Sequence, residues 1–468
     1  MRKTVVLFTL LSGCAVGPDY HKPDAPVPAQ FKELEGWRQA APHDAAPRGA
    51  WWTIFGDPEL DALMKRVDVS NQTIVAAEAR FRQARAVADQ ARAGYFPTVS
   101  ANGSATRVKS PSLPNAPSFA TGAVNNYSAS LNASWELDLW GRVRRSVEAG
   151  EAGWQGSAAD LEAARLSARA SLAQNYFALR VADAARAVLQ ETVAANQRTL
   201  ELTRNRYNAG VAARVDIVQA EVQVKSAQAT LIDIGVSRAQ FEHAIALLVG
   251  VPPADFAVAP TTAELKMPGI PMILPSELLE RRPDVASAER AMAAANAQIG
   301  VATAAYYPTI TLTGATGFRT TDLGSLFTAP SRFWSLGAAA AETVFDGGLR
   351  GAVTAQARAA YDAQVANYRQ TVLAGFQDVE DNLAALRILD DEAAVQDEAL
   401  KGARQAAELT MNQYQAGIVS YINVLAAQTV AFNNERAALD VLGRRLTASV
   451  GLVRALGGGW SDAELPSR

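Results

Sequence analysis

The segment Tyr207-Asn-Ala-Gly-Val-Ala-Ala-Arg-Val-Asp-Ile217 recurs 207 positions later as Tyr414-Gln-Ala-Gly-Ile-Val-Ser-Tyr-Ile-Asn-Val424. Both versions place an Ala-Gly pair two residues after a tyrosine. One match of this length is weak evidence, because tyrosine, alanine and glycine are common residues. The match gains weight from two further landmarks, which recur in the same order along the chain.

These landmarks give the two halves of the chain the same succession of motifs. Ala93-Gly-Tyr-Phe-Pro-Thr98 returns 211 positions later as Ala304-Ala-Tyr-Tyr-Pro-Thr309. Three dispersed residues return with an offset of 206, namely Glu136, Gly141 and Arg144 as Glu342, Gly347 and Arg350. Two long copies do not make an array of short stacked repeats, so the pattern predicts one protein built from two similar halves.

Composition argues against several classes of function. The 468 residues carry a net charge of −3, which provides no basic surface of the kind that binds nucleic acid. The chain has three histidines and one cysteine, and it shows neither a phosphate-binding glycine loop nor the spacing of a zinc site. We therefore expect no enzyme activity, no catalytic residue, no metal site and no cofactor.

The N-terminus is typical of an exported protein. Two basic residues precede a short apolar run ending in Leu11-Ser-Gly-Cys14, which resembles the lipidation signal of bacterial lipoproteins. We predict a signal peptide at 1–13 and lipid attached to Cys14. Ala15 stands where an aspartate would favour retention in the inner membrane, so we expect the outer membrane. The alternative is an ordinary buried cysteine after an apolar segment.

Proline placement divides the chain. The tracts 118–251 and 331–465 contain no proline and are rich in Ala, Leu, Glu, Gln and Arg, so each can form very long helices. The predicted organisation is an N-terminal tether and equatorial segment at 14–57, a first repeat at 58–250, a Pro-rich linker at 251–278, a second repeat at 279–457 and a tail at 458–468.

Each repeat is predicted to contain a helix, a strand pair, a long helix and a further helix. The first repeat has strands 97–108 and 127–139 and helices 143–207 and 211–249. The second repeat has strands 308–319 and 333–345 and helices 349–414 and 418–456. A helix over 143–207 would extend about 97 Å at 1.5 Å per residue.

A heptad seam supports this reading in the second long helix, where the apolar residues step by four and three: Val372, Phe376, Val379, Leu383 and Leu386. An ordinary helical bundle would show the same local pattern. The length of the helices is what favours an elongated structure.

The segment 127–139 has a period of two. Its odd positions are apolar or small, while its even positions are serine, asparagine, glutamate and aspartate. A transmembrane β-strand needs roughly 9–11 residues and alternates in this way, although a soluble sheet with one wet face would too. Four strands cannot close a barrel, because about eight is the practical minimum. The open edges must therefore pair with other subunits, so this reading requires oligomerisation.

The chain resembles the outer-membrane factors, or TolC-like family, in the lipoprotein branch often called NodT-type. The resemblance extends from Cys14 to about Leu456. Its motifs are Cys14-Ala-Val-Gly-Pro-Asp-Tyr-His-Lys-Pro23, Trp51-Trp-Thr-Ile-Phe-Gly-Asp-Pro-Glu-Leu60, Tyr95-Phe-Pro97, Leu279-Glu-Arg-Arg-Pro-Asp-Val285 and the two Tyr-x-Ala-Gly segments.

This resemblance implies a mainly α fold with a membrane β-barrel portion. Long coiled-coil helices would form an α-helical tunnel, and four transmembrane strands from each protomer would build the twelve-stranded barrel of a homotrimer. The protein would be the exit duct of a tripartite efflux or secretion pump in the outer membrane. Its partners would be a periplasmic adaptor (membrane fusion protein) and an inner-membrane transporter of the RND type. The alternative is a periplasmic coiled-coil adaptor or structural lipoprotein without a pore.

The resemblance also assigns roles to the repeated segments, as turns at the periplasmic end of the tunnel. Residues expected at the turns and at the adaptor-docking surface are Tyr207, Gly210, Arg214, Tyr414 and Gly417. Residues expected at the aperture are Asp216, Tyr421, Ile422 and Asn423. The two glycines suit a reversing helix because they accept positive φ, and they could equally be helix caps with no part in gating.

The aperture departs from the pattern of some relatives, which carry an acidic ring shortly after the second turn. Here that position is Ala426. Asp216 is the only acid near either turn, and Arg214 stands two residues before it. The resulting hypothesis is that closure rests on Tyr421, Ile422 and a polar contact between Arg214 and Asp216.

Overall fold

The computed structural model describes residues 15–33, 50–109, 122–261, 265–269 and 280–466. The predicted signal peptide, Cys14, most of the tether after residue 33 and part of the proline-rich linker lie outside these residues. No helix in the described ranges has both the length and the apolarity needed to cross a membrane.

The two halves have matching element orders. The first contains α1 (Pro58–Ser70), α2 (Gln72–Ala93), β1 (Thr98–Val108), β2 (Val124–Leu137), α3 (Arg142–Asn208) and α4 (Arg214–Leu248). The second contains α5 (Pro283–Ala304), β3 (Thr309–Thr320), β4 (Arg332–Ala341), α6 (Leu349–Gln415) and α7 (Tyr421–Ala455). Short 3-10 turns accompany them at Trp51–Phe55, Pro253–Asp255, Leu323–Ser325, Ala329–Ser331 and Asp462–Glu464.

The first helix of the first repeat is broken in two at Asn71. The Asn71 backbone is extended, and its Oδ1 accepts hydrogen bonds from the N–H groups of Thr73 and Ile74 at 2.9 and 3.1 Å. Its Nδ2 donates to the carbonyl of Leu248, at the end of α4, at 2.7 Å. One side chain therefore caps α2 and also ties the break to the end of α4.

Several predicted boundaries need correction. Strand 333–345 ends at Ala341 because its partner β3 begins at Thr309, after Pro308, whose nitrogen has no hydrogen to donate. Strand 127–139 runs instead from Val124 to Leu137, and it too ends where its partner β3 begins. Helices 211–249 and 418–456 each begin three residues later than predicted, because the reversing turns occupy those residues.

The four strands form one antiparallel sheet in the order β1-β2-β3-β4. The register places Leu131 of β2 opposite Ala101 of β1 and Thr316 of β3, which in turn faces Trp334 of β4. The sheet joins the two halves, since β2 and β3 come from different repeats. Its outer strands, β1 and β4, have no partner on their outer edges within the described part of the chain.

The helical core lies between the sheet and the turns, in two related clusters. One surrounds Trp51 and Trp52, and the other surrounds Phe31 and Phe376. The predicted heptad seam of α6 is buried in the second cluster, which confirms it. Residues separated by 207 positions occupy matching buried sites, as in the pairs Leu172 and Val379, Tyr176 and Leu383, and Leu179 and Leu386.

Each helical hairpin has one ion pair between its two helices at equivalent positions, and the two pairs differ in burial. In the first repeat Asp183 of α3 accepts from Arg238 of α4 at 2.7 Å and from Arg180 at 3.1 Å. In the second repeat Asp390 pairs with Arg445. The Asp183 side chain is 1% exposed, whereas that of Asp390 is 56% exposed. Removing the carboxylate of the first pair should therefore destabilise the protein far more than removing that of the second.

This difference gives the first prediction. Asp183→Asn removes the buried carboxylate that Arg180 and Arg238 share and leaves them only their second partners, Glu59 and Glu242. This loss costs about 3–5 kcal/mol, while Asp390→Asn costs about 0–1 kcal/mol. Thermal unfolding of the detergent-solubilised protein, followed by helical circular dichroism, should show a clearly lower midpoint for Asp183→Asn alone. Equal shifts for the two variants would contradict this reading.

Candidate functional site: two helix-reversing turns and an amphipathic sheet

The first turn reverses the chain between α3 and α4. Gly210 has φ of 76°, a left-handed conformation that glycine accepts without strain. The N–H of Gly210 donates to the carbonyl of Tyr207 at 2.9 Å, and the N–H of Val211 donates to that of Arg206 at 2.9 Å. These two bonds make a Schellman cap, which satisfies carbonyls at the end of α3.

The second turn repeats this geometry between α6 and α7. Gly417 has φ of 78°, and its N–H donates to the carbonyl of Tyr414 at 3.0 Å. The N–H of Ile418 donates to the carbonyl of Gln413 at 2.9 Å. The expectation that both glycines take positive φ is confirmed, and both act as helix caps. Their role in gating stays a prediction.

The two tyrosines of the repeat lie in different environments. Tyr414 is 2% exposed, and its ring contacts that of Tyr421 with centroids 5.9 Å apart. Its hydroxyl lies 3.3 Å from Oγ1 of Thr203 in α3. Tyr207 is 42% exposed. The interface between the two hairpins of one chain thus covers Tyr414 and leaves Tyr207 uncovered.

Arg206 is a residue of this site that the sequence did not reveal. Its Nη1 donates to the carbonyls of Tyr414 and Gln415 at 2.9 and 3.2 Å. Its guanidinium also lies over the Tyr414 ring, 4.7 Å from the centroid. A cation is favourable there because the last carbonyls of a helix carry partial negative charge. One sequence difference could have pointed to this residue, because the equivalent position in the second repeat is Gln413.

Asp216 and Arg214 do not form the predicted contact. Oδ2 of Asp216 accepts a hydrogen bond from the N–H of Ala213 at 3.2 Å, so the carboxylate caps the first turn of α4. Arg214 is exposed and makes no ion pair with Asp216 in the described structure. In the second turn, Nδ2 of Asn423 donates to Oγ of Ser420 at 3.2 Å.

The predicted aperture residues divide into two groups. Tyr421, expected at the aperture, is instead buried against Tyr414, since its ring completes the contact between the hairpins. Burial, followed by the nearby Tyr414 and Asp216, raises the pKa of Tyr421 to about 12, so its hydroxyl is neutral at physiological pH. Ile422 and Asn423 are exposed, and their placement at the aperture stays a prediction.

The sheet is a second functional element, because its two faces differ chemically. One face presents large exposed apolar side chains: Val99, Leu131, Trp135, Trp334 and Leu336. The opposite face is lined by serine, threonine and asparagine, as in the Ser104 and Ser128 pair, whose hydroxyls lie 2.8 Å apart. A sheet with one apolar and one hydroxyl-rich face suits lipid on one side and water on the other.

The helix-to-strand junctions carry the aromatic motifs. Nε1 of Trp140 donates to the carbonyl of Pro308 at 2.8 Å, and the Trp140 ring stacks on Tyr307 at 4.9 Å. Nε1 of Trp135 donates to the carbonyl of Tyr95 at 3.0 Å. These contacts set the direction in which the strands leave the helices.

In the described residues no group of three or more His, Cys, Asp or Glu could hold a metal ion.

The Arg206 contacts lead to the second prediction. Arg206→Ala should remove about 1–3 kcal/mol of local stability from the second turn, because it deletes a charged donor to two carbonyls. Hydrogen exchange followed by mass spectrometry should then show roughly fivefold or faster exchange of the amides at 414–423.

Arg204→Ala is the matched control, since Arg204 makes only an exposed ion pair with Glu221 at 2.6 Å. It should leave exchange at 414–423 unchanged. Identical exchange in the wild type and Arg206→Ala would show that Arg206 does not hold this turn.

Known proteins match the chain over both the helix-reversing turns and the sheet. A family model described as outer membrane efflux protein matches residues 63–251 and 274–458. The probable efflux pump outer membrane protein TtgC of Pseudomonas putida is 32% identical over 456 residues, covering 97% of this chain and 94% of that protein. The cation efflux system protein CusC of Escherichia coli is 30% identical over 460 residues, covering 97% of each.

The solved structure of the outer-membrane channel OprN matches with a TM-score of 0.88 at 30% identity, covering 96% of this chain and 100% of that one. The open state of the MtrE outer membrane channel of Neisseria gonorrhoeae matches with a TM-score of 0.82 at 30% identity, covering 96% and 99%. The predicted fold, long helices joined to a portion of four strands per chain, is confirmed by these likenesses.

Proposed function

Because this chain belongs to the outer membrane efflux protein family, we propose that three copies of it form the outer-membrane exit duct of an efflux or secretion pump. The duct is passive, and its relatives are channels and pump components rather than enzymes. The observation that carries the proposal is the four-stranded sheet, which has an exposed apolar face and two open edges. Such a sheet is stable in a bilayer only when its edges are paired.

The barrel follows from pairing β4 of one copy with β1 of the next. Three copies supply twelve strands, which exceeds the minimum of about eight for closure. The apolar face with Leu131 and Trp334 then meets lipid, and the hydroxyl-rich face lines the pore. A periplasmic adaptor or structural lipoprotein without a pore would leave this apolar face in water.

The helices supply an independent argument for the trimer, from the equivalence of the two repeats. Within one chain α7 packs on α3, and a Cβ placed on Gly443 would lie 3.9 Å from the Cβ of Val181. The residues 207 positions away are Val236 of α4 and Ile388 of α6. Both are uncovered in one chain, with exposed fractions of 56% and 54%. We place them in contact between neighbouring copies.

Apolar seams on both helices extend this contact along the tunnel. Five exposed apolar residues of α4 fall at heptad spacing: Val215, Val218, Val222, Ile232 and Val236. Three exposed apolar residues of α6 are separated by multiples of seven: Ile388, Val395 and Leu409. Exposed Tyr207 belongs to the same surface, since its buried equivalent, Tyr414, packs against the neighbouring hairpin.

The third prediction tests this interface with paired cysteines. Val236→Cys combined with Ile388→Cys should form disulfides between copies, giving dimer and trimer bands on a non-reducing denaturing gel. Val181→Cys combined with Gly443→Cys is the matched control, because the equivalent contact lies inside one chain and should crosslink without raising the mass. Monomer bands from both pairs under full oxidation would overturn the proposed interface.

A lipid on Cys14 is part of the same proposal, supported by the position of the residue that follows it. Ala15 lies against Gly141, at the junction between β2 and α3, and the N–H of Val16 donates to the carbonyl of Trp140 at 3.0 Å. This junction is the membrane-facing end of the helices, so acyl chains there can enter the bilayer. Each buried CH₂ adds about 0.8 kcal/mol to such an anchor.

The fourth prediction concerns this anchor. Cys14→Ser should abolish incorporation of labelled palmitate, while Ser12→Ala should retain it because Ser12 is removed with the signal peptide. Labelled palmitate in the Cys14→Ser protein would show that the lipid is attached elsewhere. Absence of label in the wild type would refute lipidation.

The partners we propose are a periplasmic adaptor and an inner-membrane transporter of the RND type. Gly210 and Val211 are exposed in the first turn, beside the proposed contact between copies, and the adaptor docks there. A photo-crosslinking residue at position 211, followed by purification of the adduct, would identify the partner. Recovery of only a second copy of this chain would show that the first turn serves the trimer and not the adaptor.

The cargo is set by the transporter in this proposal. One relative is named for cation efflux and another for a general efflux pump, although both are about equally similar to this chain. Ducts of this family therefore need no binding site for one particular cargo.

A further inference from the structure

The hydroxyl-rich face of the sheet carries very little charge. Taking alternate residues of each described strand, this face contains mainly small neutral polar groups: Ser100, Asn102, Ser104, Thr106, Ser128, Ser130, Asn132, Ser134, Thr311, Thr313 and Ser335. Within the described strands, Glu136 and Arg319 are the charged residues of this face. A pore lined in this way has no strong electrostatic preference of its own, so each fixed charge matters.

The charge of Glu136 is neutralised by a neighbouring arginine. It lies at the helix end of β2, and both of its carboxylate oxygens accept hydrogen bonds from Arg142 at 2.7 Å. This bidentate pair cancels the charge locally and fixes both side chains at the base of the strand. Glu136 therefore contributes little field to the rest of the pore.

Arg319 lies at the opposite end of the sheet and has no acidic partner in the described residues. It is the penultimate residue of β3 and pairs with Ser128 of β2, so it is near the end of the strands that points away from the helices. Its side chain is exposed. Its charge is thus uncompensated and faces the same side as the serine and asparagine residues.

An aromatic platform holds Arg319 in place. Gly317 of β3 pairs with Phe333 of β4, so the Phe333 ring lies on the same face of the sheet as Arg319. The Arg319 guanidinium lies over the Phe333 ring, 5.0 Å from its centroid. A cation over an aromatic face is attracted by the ring electrons, and the stacking restricts the long side chain to this face of the sheet.

We propose that Arg319 sets the charge selectivity of the pore, by forming a ring of three fixed positive charges near its extracellular end. The proposal rests on the trimeric barrel described above, in which this face lines the lumen. Rings of arginine or lysine favour anions in pores, and low-dielectric walls focus their field. Small anions and anionic cargo would leave more readily than cations of the same size.

The test is the ratio of chloride to potassium permeability in single channels of the purified protein, measured across a KCl gradient in planar bilayers. Arg319→Gln should lower this ratio about twofold or more, and Arg319→Glu should lower it further. Arg319→Lys should keep the wild-type ratio because it keeps the charge. The differences should shrink as salt rises, since the Debye length falls from about 30 Å at 0.01 M to about 3 Å at 1 M.

Arg332→Gln is the matched control. Arg332 pairs with Phe318, so it lies at the same height as Arg319 but on the lipid face, and its removal should leave the ratio unchanged. Channels whose ratio is the same in the wild type, Arg319→Gln and Arg319→Glu would overturn the role of Arg319. Failure of the wild-type protein to form channels would instead overturn the proposed duct.

Discussion

Unpaired backbone groups at the two edges of the sheet are the constraint on which the rest of this structure depends. Within the described residues of one chain, β1 and β4 each leave a row of amides and carbonyls without partners. In water such an edge invites aggregation, and in a bilayer it costs several kcal/mol for each unsatisfied group. Closing the edges with further copies removes the cost, and the helices that continue from the strands must then stand in a ring.

The duplication allows such a ring to form, and it also gives the ring two kinds of contact between helical hairpins. In the proposed trimer, contacts inside one chain have counterparts between chains, because residues 207 positions apart occupy equivalent sites. The contacts inside one chain involve more buried and more hydrogen-bonded residues. Tyr414 is buried against Tyr421, and Arg206 donates a hydrogen bond at the end of α6. Their equivalents between chains are Tyr207, Gln413 and Arg214. We infer that the contacts between copies separate more easily than those inside a copy.

The sequence predicted the features that depend on local periodicity. The spacing of Gly210 and Gly417 indicated both turns, the alternation around Leu131 indicated a strand, and the seam at Val372 indicated a long helix. Features that depend on tertiary contacts were missed, such as the break at Asn71 and the inward position of Tyr421. The predicted contact between Arg214 and Asp216 does not form in the described structure. The Asp216 carboxylate instead accepts a hydrogen bond from the Ala213 N–H and caps its own helix, which is a local interaction.

The measurement that tests the central claim most directly is the native mass of the protein extracted from membranes, determined by mass spectrometry in detergent. The account predicts a particle of three chains that requires detergent for extraction and that separates into single chains only on heating in denaturant. A single chain released by washing without detergent would contradict the account, because the open edges of its sheet would then need no partner.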